Sequence, residues 1–388
     1  MKYLGYYAKN AVVERSNPLA AVTKMDYVAN VLSRNEYTEI ISASGVLGNK
    51  SDIAHTQRIN DNLSVHYFYS VGRKNPILGK IGTLLLHLQL LHYLLTQAKR
   101  DEPIIVYHSL GYMRIIRCAR KIKKFKLILE VEEIYADVPE NKKTRRKELQ
   151  FFQCADAYIF PTKLLSNEIN KSNKPEVIIH GTYQVEPDRK CNIFKDDIQE
   201  SVEEVIHCVY AGTLDSRKGG AAAAVAAAEY LPSNYHVHIL GFGSEKEKND
   251  MRDSVAEIAL KTKARVSYDG LLSGERYIRF IQSCDIGLST QDPSAAFNTT
   301  SFPSKILSYM ANGLRVVSIR IPAVEKSNVG NMLYYYDKQT PIEIAKAILS
   351  VNVQDGYDSR ETIMELDKKF QKEIKKCWER RDEFLDFS

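Results

Sequence analysis

Two kinds of hydrophobic pattern alternate along this chain. Short, mostly apolar runs, such as residues 103–108 (PIIVYH), 126–131 (KLILEV) and 315–319, have the length and composition of fully buried strands. Between them lie stretches whose apolar residues recur at helical spacing. In residues 114–126 (RIIRCARKIKKFK), Ile115, Ile116, Ala119, Ile122 and Phe125 fill that pattern, and Arg or Lys fill most of the rest. The same reading predicts first-half strands at 3–7, 38–43, 65–69, 157–161 and 177–179, with helices at 18–32, 81–95 and 148–156. In the second half it predicts strands at 204–211, 235–240, 265–268 and 286–289, and helices at 221–230, 246–260 and 274–283. Strand and helix in alternation make an α/β protein with parallel sheets. Two Rossmann-like halves follow, separated by a polar, aperiodic stretch. The division is residues 1–185, a linker at 186–203, residues 204–358, and a long amphipathic helical pattern at 359–388 that carries Trp378.

Composition narrows the class. A chain of 388 residues can bury two separate cores, and 44% hydrophobic with 26% charged residues is ordinary for a globular protein. No apolar run reaches the ~18 residues of a membrane span. The longest, 81–95, is interrupted by His87, Gln89 and His92 and reads as a buried helix. The start, MKYLGYYAKN, has no signal-peptide pattern. Six cysteines without a Cys-x-x-Cys indicate neither a zinc site nor a disulfide framework, which points to a reducing, cytoplasmic setting.

The net charge of +6 conceals a division. Residues 1–180 hold 27 Lys and Arg against 17 Asp and Glu, or +10, which leaves 27 against 31, or −4, for the remainder. Much of the excess falls on Arg114, Arg117, Arg120, Lys121, Lys123, Lys124 and Lys126, and on residues 142–147. It implies either an acidic partner for the first half or a solvated helix face.

Candidate chemistry concentrates in residues 297–318 (FNTTSFPSKILSYMANGLRVVS). A hydroxyl-rich loop (Asn298, Thr299, Thr300, Ser301) leads to Pro303, placed for the first turn of a helix with Ser301 or Thr300 as N-cap. Backbone N–H groups at such a helix start suit a phosphate, and Lys305 adds a full charge; an ordinary capped helix is the plainer reading. Residues 212–219 offer a second loop of this kind. Gly212 and Thr213 end a strand, Arg217 and Lys218 follow, and a helix opens after Gly219, an arrangement that suits a diphosphate or, more plainly, makes a turn with two solvated cations. Gly241 and Gly243 end the next strand at the edge where open α/β sheets take nucleotides. In the first half, Glu130, Glu132 and Glu133 crowd one strand end, which is costly unless cations or a ligand offset the repulsion. His108 ends the preceding strand, and Asp285 reads as a structural turn residue. No Asp-x-Asp ends a strand, so charge neutralisation falls to Arg217, Lys218, Lys305 and helix dipoles rather than to a metal ion.

These segments resemble the retaining glycosyltransferases of family 4, of the kind found in bacterial surface-polysaccharide synthesis. The frame of an acid, seven residues and a second acid stands here as Thr300 and Ser308, with both acids replaced; Lys218-Gly219 matches a family pair, with Thr213 where the family has Arg. Residues 268–272 (YDGLL) resemble the loop whose backbone reads the nucleobase, and Glu132 and Glu133 take the place of a His or His-Asp that contacts the donor sugar. The resemblance implies a GT-B fold, in which two Rossmann-like domains face a cleft and the last helix crosses back to the first. It implies retaining transfer of a hexose from a nucleotide-sugar, UDP-linked, to a saccharide or lipid-linked saccharide acceptor in cell-surface polysaccharide synthesis. Glu132, Glu133, Lys218 and Lys305 would carry the chemistry. Gly212, Thr213, Arg217, Lys218, Gly241, Gly243, Leu271, Leu272, Thr299, Thr300, Ser301, Lys305 and Ser308 would hold the donor. Neither a metal nor any cofactor beyond the donor is implied, and no nucleic acid. The setting is the cytoplasm, with peripheral attachment to the anionic inner membrane face through residues 114–126. An epimerase or hydrolase acting on nucleotide-sugars, and a non-catalytic partner subunit lacking the family acids, are the alternatives.

Overall fold

The computed structural model describes residues 1–9, 11–137, 141–189, 193–194, 205–215, 219–293, 301–354 and 356–379. The chain divides into two compact units, Met1–Thr182 with the segment from Phe370 onward, and Tyr183–Lys369.

In the first unit the order is β1 (Lys2–Gly5), α1 (Leu19–Ser33), β2 (Thr38–Ser42), β3 (His55–Asn60), β4 (Leu63–Tyr67), α2 (Pro76–Gln97), β5 (Pro103–Tyr107), α3 (Met113–Lys123), β6 (Lys126–Glu130), α4 (Lys142–Phe152), β7 (Ala157–Phe160), α5 (Lys163–Ile169) and β8 (Glu176–Ile178). The eight strands lie in the order β3-β4-β2-β1-β5-β6-β7-β8. All pair in parallel except the edge strand β3, which runs antiparallel to β4. The sheet core is built from runs such as Ile104, Val106, Leu127 and Leu129, which pack with Ile116, Ala119, Phe151 and Phe152 of the helices.

The helix at 81–95 is longer than expected and is not buried. It spans Pro76–Gln97, is capped by Asn75, and buries only Leu86, Leu90 and Leu94. These recur every four residues and form a single stripe against the core. The other side exposes Ile77, Ile81, Leu84, Leu85 and Leu88. Among the described residues this helix alone is long and apolar enough to cross a membrane by length and composition.

The second unit runs β9 (Ile206–Thr213), α6 (Gly220–Ala227), β10 (Tyr235–Phe242), α7 (Glu245–Ala259), β11 (Arg265–Gly270), α8 (Gly274–Gln282), β12 (Ile286–Ser289), α9 (Lys305–Met310), β13 (Arg315–Ile319), α10 (Pro322–Glu325), β14 (Tyr334–Tyr336), α11 (Pro341–Leu349) and α12 (Arg360–Glu379). Its strands are all parallel, in the order β11-β10-β9-β12-β13-β14. The order reverses between β9 and β12, and the carboxyl ends of those two strands flank a topological switch point. α12 starts in this unit and ends in the first, where Phe370 stacks on Tyr27 of α1 with ring centroids 5.7 Å apart.

Candidate functional site

Beside the switch point the sequence places two glycines side by side. Gly212 near the end of β9 and Gly241 near the end of β10 are register partners, as are Thr213 and Phe242. A Cβ on Gly241 would come within 2.6 Å of the Gly212 carbonyl oxygen, closer than side-chain carbons approach, so the two backbones meet here only because Gly241 lacks one. A Cβ on Gly212 would meet the Lys305 Nζ at 3.1 Å. The ammonium of Lys305 lies 3.7 Å from the centroid of the Tyr210 ring, in the range of a cation–π contact. A full cation is thus held against a bare backbone edge at the carboxyl end of β9.

The helix that carries Lys305 is fixed by a buried tyrosine. The Tyr309 hydroxyl accepts from Ala211 N at 2.8 Å and donates to Leu288 O at 3.4 Å, tying α9 to both β9 and β12. Gly287 makes room for that ring, since a Cβ there would fall 2.3 Å from Tyr309 Cγ. On the other side, Thr290 Oγ1 donates to the Gly220 carbonyl at 2.6 Å, tying β12 to the first turn of α6. Gly219, the N-cap of α6, has a φ of +62°, which a side chain would oppose.

The start of α9 differs from the expectation. The helix begins at Lys305 rather than at Pro303; its N-cap, Ser304, has helical backbone angles and makes no side-chain cap. Ser301 therefore does not cap it, because Pro303 and Ser304 form a preceding turn in which Ile306 N donates to Pro303 O at 3.0 Å. Ser308 faces α8, with its hydroxyl 3.5 Å from the Tyr277 hydroxyl. Gly243 sits against α7, where Ser244 and Glu247 form a reciprocal cap. Those side chains occupy the Ser244 and Glu247 N–H groups at this helix start. Arg217, Lys218, Thr299 and Thr300 lie outside the described residues.

Leu271 and the end of β11 border an open groove of about 330 Å³ lined by Phe242, Gly243, Lys248, Arg252, Tyr268 and Gly270. Phe242 is half exposed, and Arg252 lies 5.7 Å from the Tyr268 ring centroid. Leu272, beside it, is half-buried. Flat aromatic and guanidinium surfaces here suit a planar ring. Tyr210, Tyr309, Phe242 and Arg252 escaped the sequence reading. Their signal was position alone, on the same strand ends and helix as the named glycines and Lys305.

The first unit gathers a separate set of charges at the end of β6. Lys24 of α1 donates to Glu132 at 2.5 Å and to the Ile179 carbonyl at 3.1 Å, and lies 3.9 Å from Glu130. Glu130 is fully buried and accepts from the Tyr3 hydroxyl, while its Oε1 finds no hydrogen-bond partner among the described residues. Burial pushes its carboxyl up to about 7, against the opposing pull of Lys24. Glu132 is thus neutralised within its own unit. Glu133 sits next to it on the same turn, ahead of Tyr135. His108 is buried, with Nε2 2.7 Å from Glu148, which also accepts from Tyr135 N and Ala136 N. It is a structural residue of the core. Asp285 is likewise structural, accepting from His207 N at 2.8 Å.

No family model matches the chain. No curated protein matches it either. Solved structures do, and they define the class of fold as GT-B. Sucrose-phosphate synthase from Thermosynechococcus elongatus aligns with a TM-score of 0.67 at 12% identity, over 98% of this chain and 98% of that one. α,α-Trehalose 6-phosphate synthase from Burkholderia multivorans aligns at 0.63 and 12%, over 96% and 92%. HepE from Anabaena, in complex with UDP and glucose, aligns at 0.64 and 11%, over 98% and 100%. At such identities the likeness is one of fold.

Proposed function

We propose that this chain is a retaining glycosyltransferase that moves a hexose from a UDP-sugar to a saccharide or lipid-linked saccharide acceptor, in cell-surface polysaccharide synthesis. The observation that carries the reading is Lys305, held over Tyr210 and against Gly212 at the switch point of the second sheet. A donor diphosphate there meets a cation and a backbone edge free of side chains, and the groove beside Phe242, Arg252 and Tyr268 accepts its base. Lys305 stabilises the charge that develops on the departing diphosphate, and the acceptor hydroxyl attacks the same face of the sugar. The names of structurally similar proteins, one in complex with UDP and glucose, support the same substrate class. Calorimetric titration with UDP and UDP-sugars tests the site. Product analysis with and without acceptor sugars separates transfer from epimerisation or hydrolysis.

The donor chemistry we propose uses no divalent cation. Chelator-treated protein should turn over as fast without Mg²⁺ or Mn²⁺ as with either; restoration of a lost rate by one of them would overturn that part of the reading. A second reading, a non-catalytic partner subunit, draws on Ser308, a hydroxyl where the resembled family has an acid. It predicts UDP binding without any sugar product.

A further inference from the structure

Three imidazoles meet at the other end of the second sheet. His207 is the second residue of β9, five residues and roughly 17 Å of strand before Gly212, and His238 is three residues, roughly 10 Å, before Gly241. His236 and His238 stand two apart on β10 and therefore point to the same face. His236 pairs in register with His207, and His238 with Ser267 of β11. Each ring can offer one nitrogen such that all three lie within 4.8 Å of one another. His207 Nδ1 and His238 Nε2 are already 2.9 Å apart.

The remaining contacts orient these rings as ligands. His238 Nδ1 lies 3.3 Å from Asp269 Oδ2, an arrangement that turns its Nε2 toward His207. Asp269 is itself held by the Ser267 hydroxyl at 2.9 Å. His236 Nε2 is 3.0 Å from Ser267 Oγ, and its Nδ1 is buried with no hydrogen-bond partner among the described residues. Phe194 stacks over His207 and His238 at 4.1 and 4.9 Å, and the Phe280 ring packs edge-on. His236 and Asp269 remain half-exposed, which leaves a way in for an ion.

We propose that His207, His236 and His238 form a binding site for a divalent transition-metal ion of the zinc type, with Asp269 as the carboxylate that positions His238. Imidazole nitrogens suit borderline ions such as Zn²⁺, and a carboxylate on the far nitrogen is the usual support for such a ligand. Around a tetrahedral ion with Zn–N near 2.0–2.1 Å, ligand nitrogens stand about 3.3 Å apart. The His207–His238 pair opens slightly to reach that spacing, and the others close by small ring rotations. Water completes the shell on the open side. An ion here joins β9 and β10 and, through Asp269, β11. Its place across three strands makes it a structural clamp.

The test is titration of the chelator-stripped full-length chain with ZnCl₂ by calorimetry, and with CoCl₂ by visible absorption. We expect one ion per chain, a tetrahedral Co²⁺ spectrum, and a thermal midpoint that rises with Zn²⁺ concentration. His236→Gln should weaken Zn²⁺ binding at least tenfold and remove the Co²⁺ spectrum, with the metal-free thermal midpoint unchanged. If that variant folds poorly, Asp269→Asn carries the same test, with binding about tenfold weaker. Absence of Zn²⁺ uptake by the parent, or equal uptake by parent and variants, overturns the proposal.

Discussion

At the scale of single residues, two charges are held in opposite ways. Lys305 keeps its ammonium over an aromatic face at the carboxyl end of β9, where a diphosphate would add an anionic neighbour. A charge-assisted contact of this kind contributes about 1.5–3 kcal/mol, or roughly 10- to 150-fold in affinity. Lys305→Ala should lose that much UDP affinity by calorimetry while its thermal midpoint stays close to the parent value. Unchanged UDP binding would remove the donor site proposed here. Glu130 is a buried acid whose carboxyl is raised to about 7. The folded chain therefore keeps a proton that the unfolded chain releases near 4.5. Between those values the folded state binds more protons, so this group's contribution is fully present below pH 4.5 and falls as pH rises to about 7. Glu130→Gln should flatten that decline and gain on the parent above pH 7, read as thermal midpoints across pH 5 to 8. Parallel curves for the two proteins would refute the assignment.

At the scale of elements, the site depends on how one short helix is seated. α9 has six residues and no side-chain cap, so its position rests on packing and on the two hydrogen bonds of the Tyr309 hydroxyl. Tyr309→Phe leaves the Ala211 N–H without its acceptor, a loss of about 1–3 kcal/mol. It should lower the thermal midpoint and also weaken UDP binding, since Lys305 moves with the helix. A variant that loses stability but binds UDP like the parent would show that α9 does not set the site. Elements with uniform burial were legible in the sequence. β12 and β13 fall on residues 286–289 and 315–319 as expected, because every residue in them is buried and apolar runs mark such strands well. β3 was not legible, since HTQRIN is a mostly exposed, polar edge strand without an apolar alternation. The glycines and Lys305 stood out as loop and helix-start residues. Their partner Tyr210 did not, because 95 positions separate it from Lys305 and only the parallel sheet brings the two together. The His-x-His on β10 was open to a period-of-two reading, but its third member is on another strand.

At the scale of the whole molecule, the +10 to −4 division of charge gains a physical location. Arg114, Arg117 and Lys121 are exposed at spacings of three and four, so α3 presents them as one stripe, and the exposed Lys124 follows at its C-terminal end. Arg120 is not part of it, because Asp156 engages it through both oxygens at 2.7 and 2.8 Å. α2 packs against α3 and carries the exposed strip of Ile77, Ile81, Leu84 and Leu88, with Arg73, Lys74 and Lys80 at its start. A long, mostly apolar helix reads as buried from sequence, which is why this strip was missed. We propose that α2 and α3 together dock the first unit on an anionic lipid surface, with the cytoplasmic membrane face as the setting. Each cation near such a surface contributes about 1 kcal/mol and is screened by salt, whereas inserted Leu and Ile side chains are not. Cosedimentation should therefore show binding to anionic vesicles that falls with salt but does not vanish. Arg117→Glu with Lys121→Glu should remove the salt-sensitive part, and Leu84→Ser with Leu88→Ser the part that survives high salt. Equal partition to anionic and neutral vesicles, or none to either, would leave both helices as plain solvent faces and the lipid-linked acceptor without support.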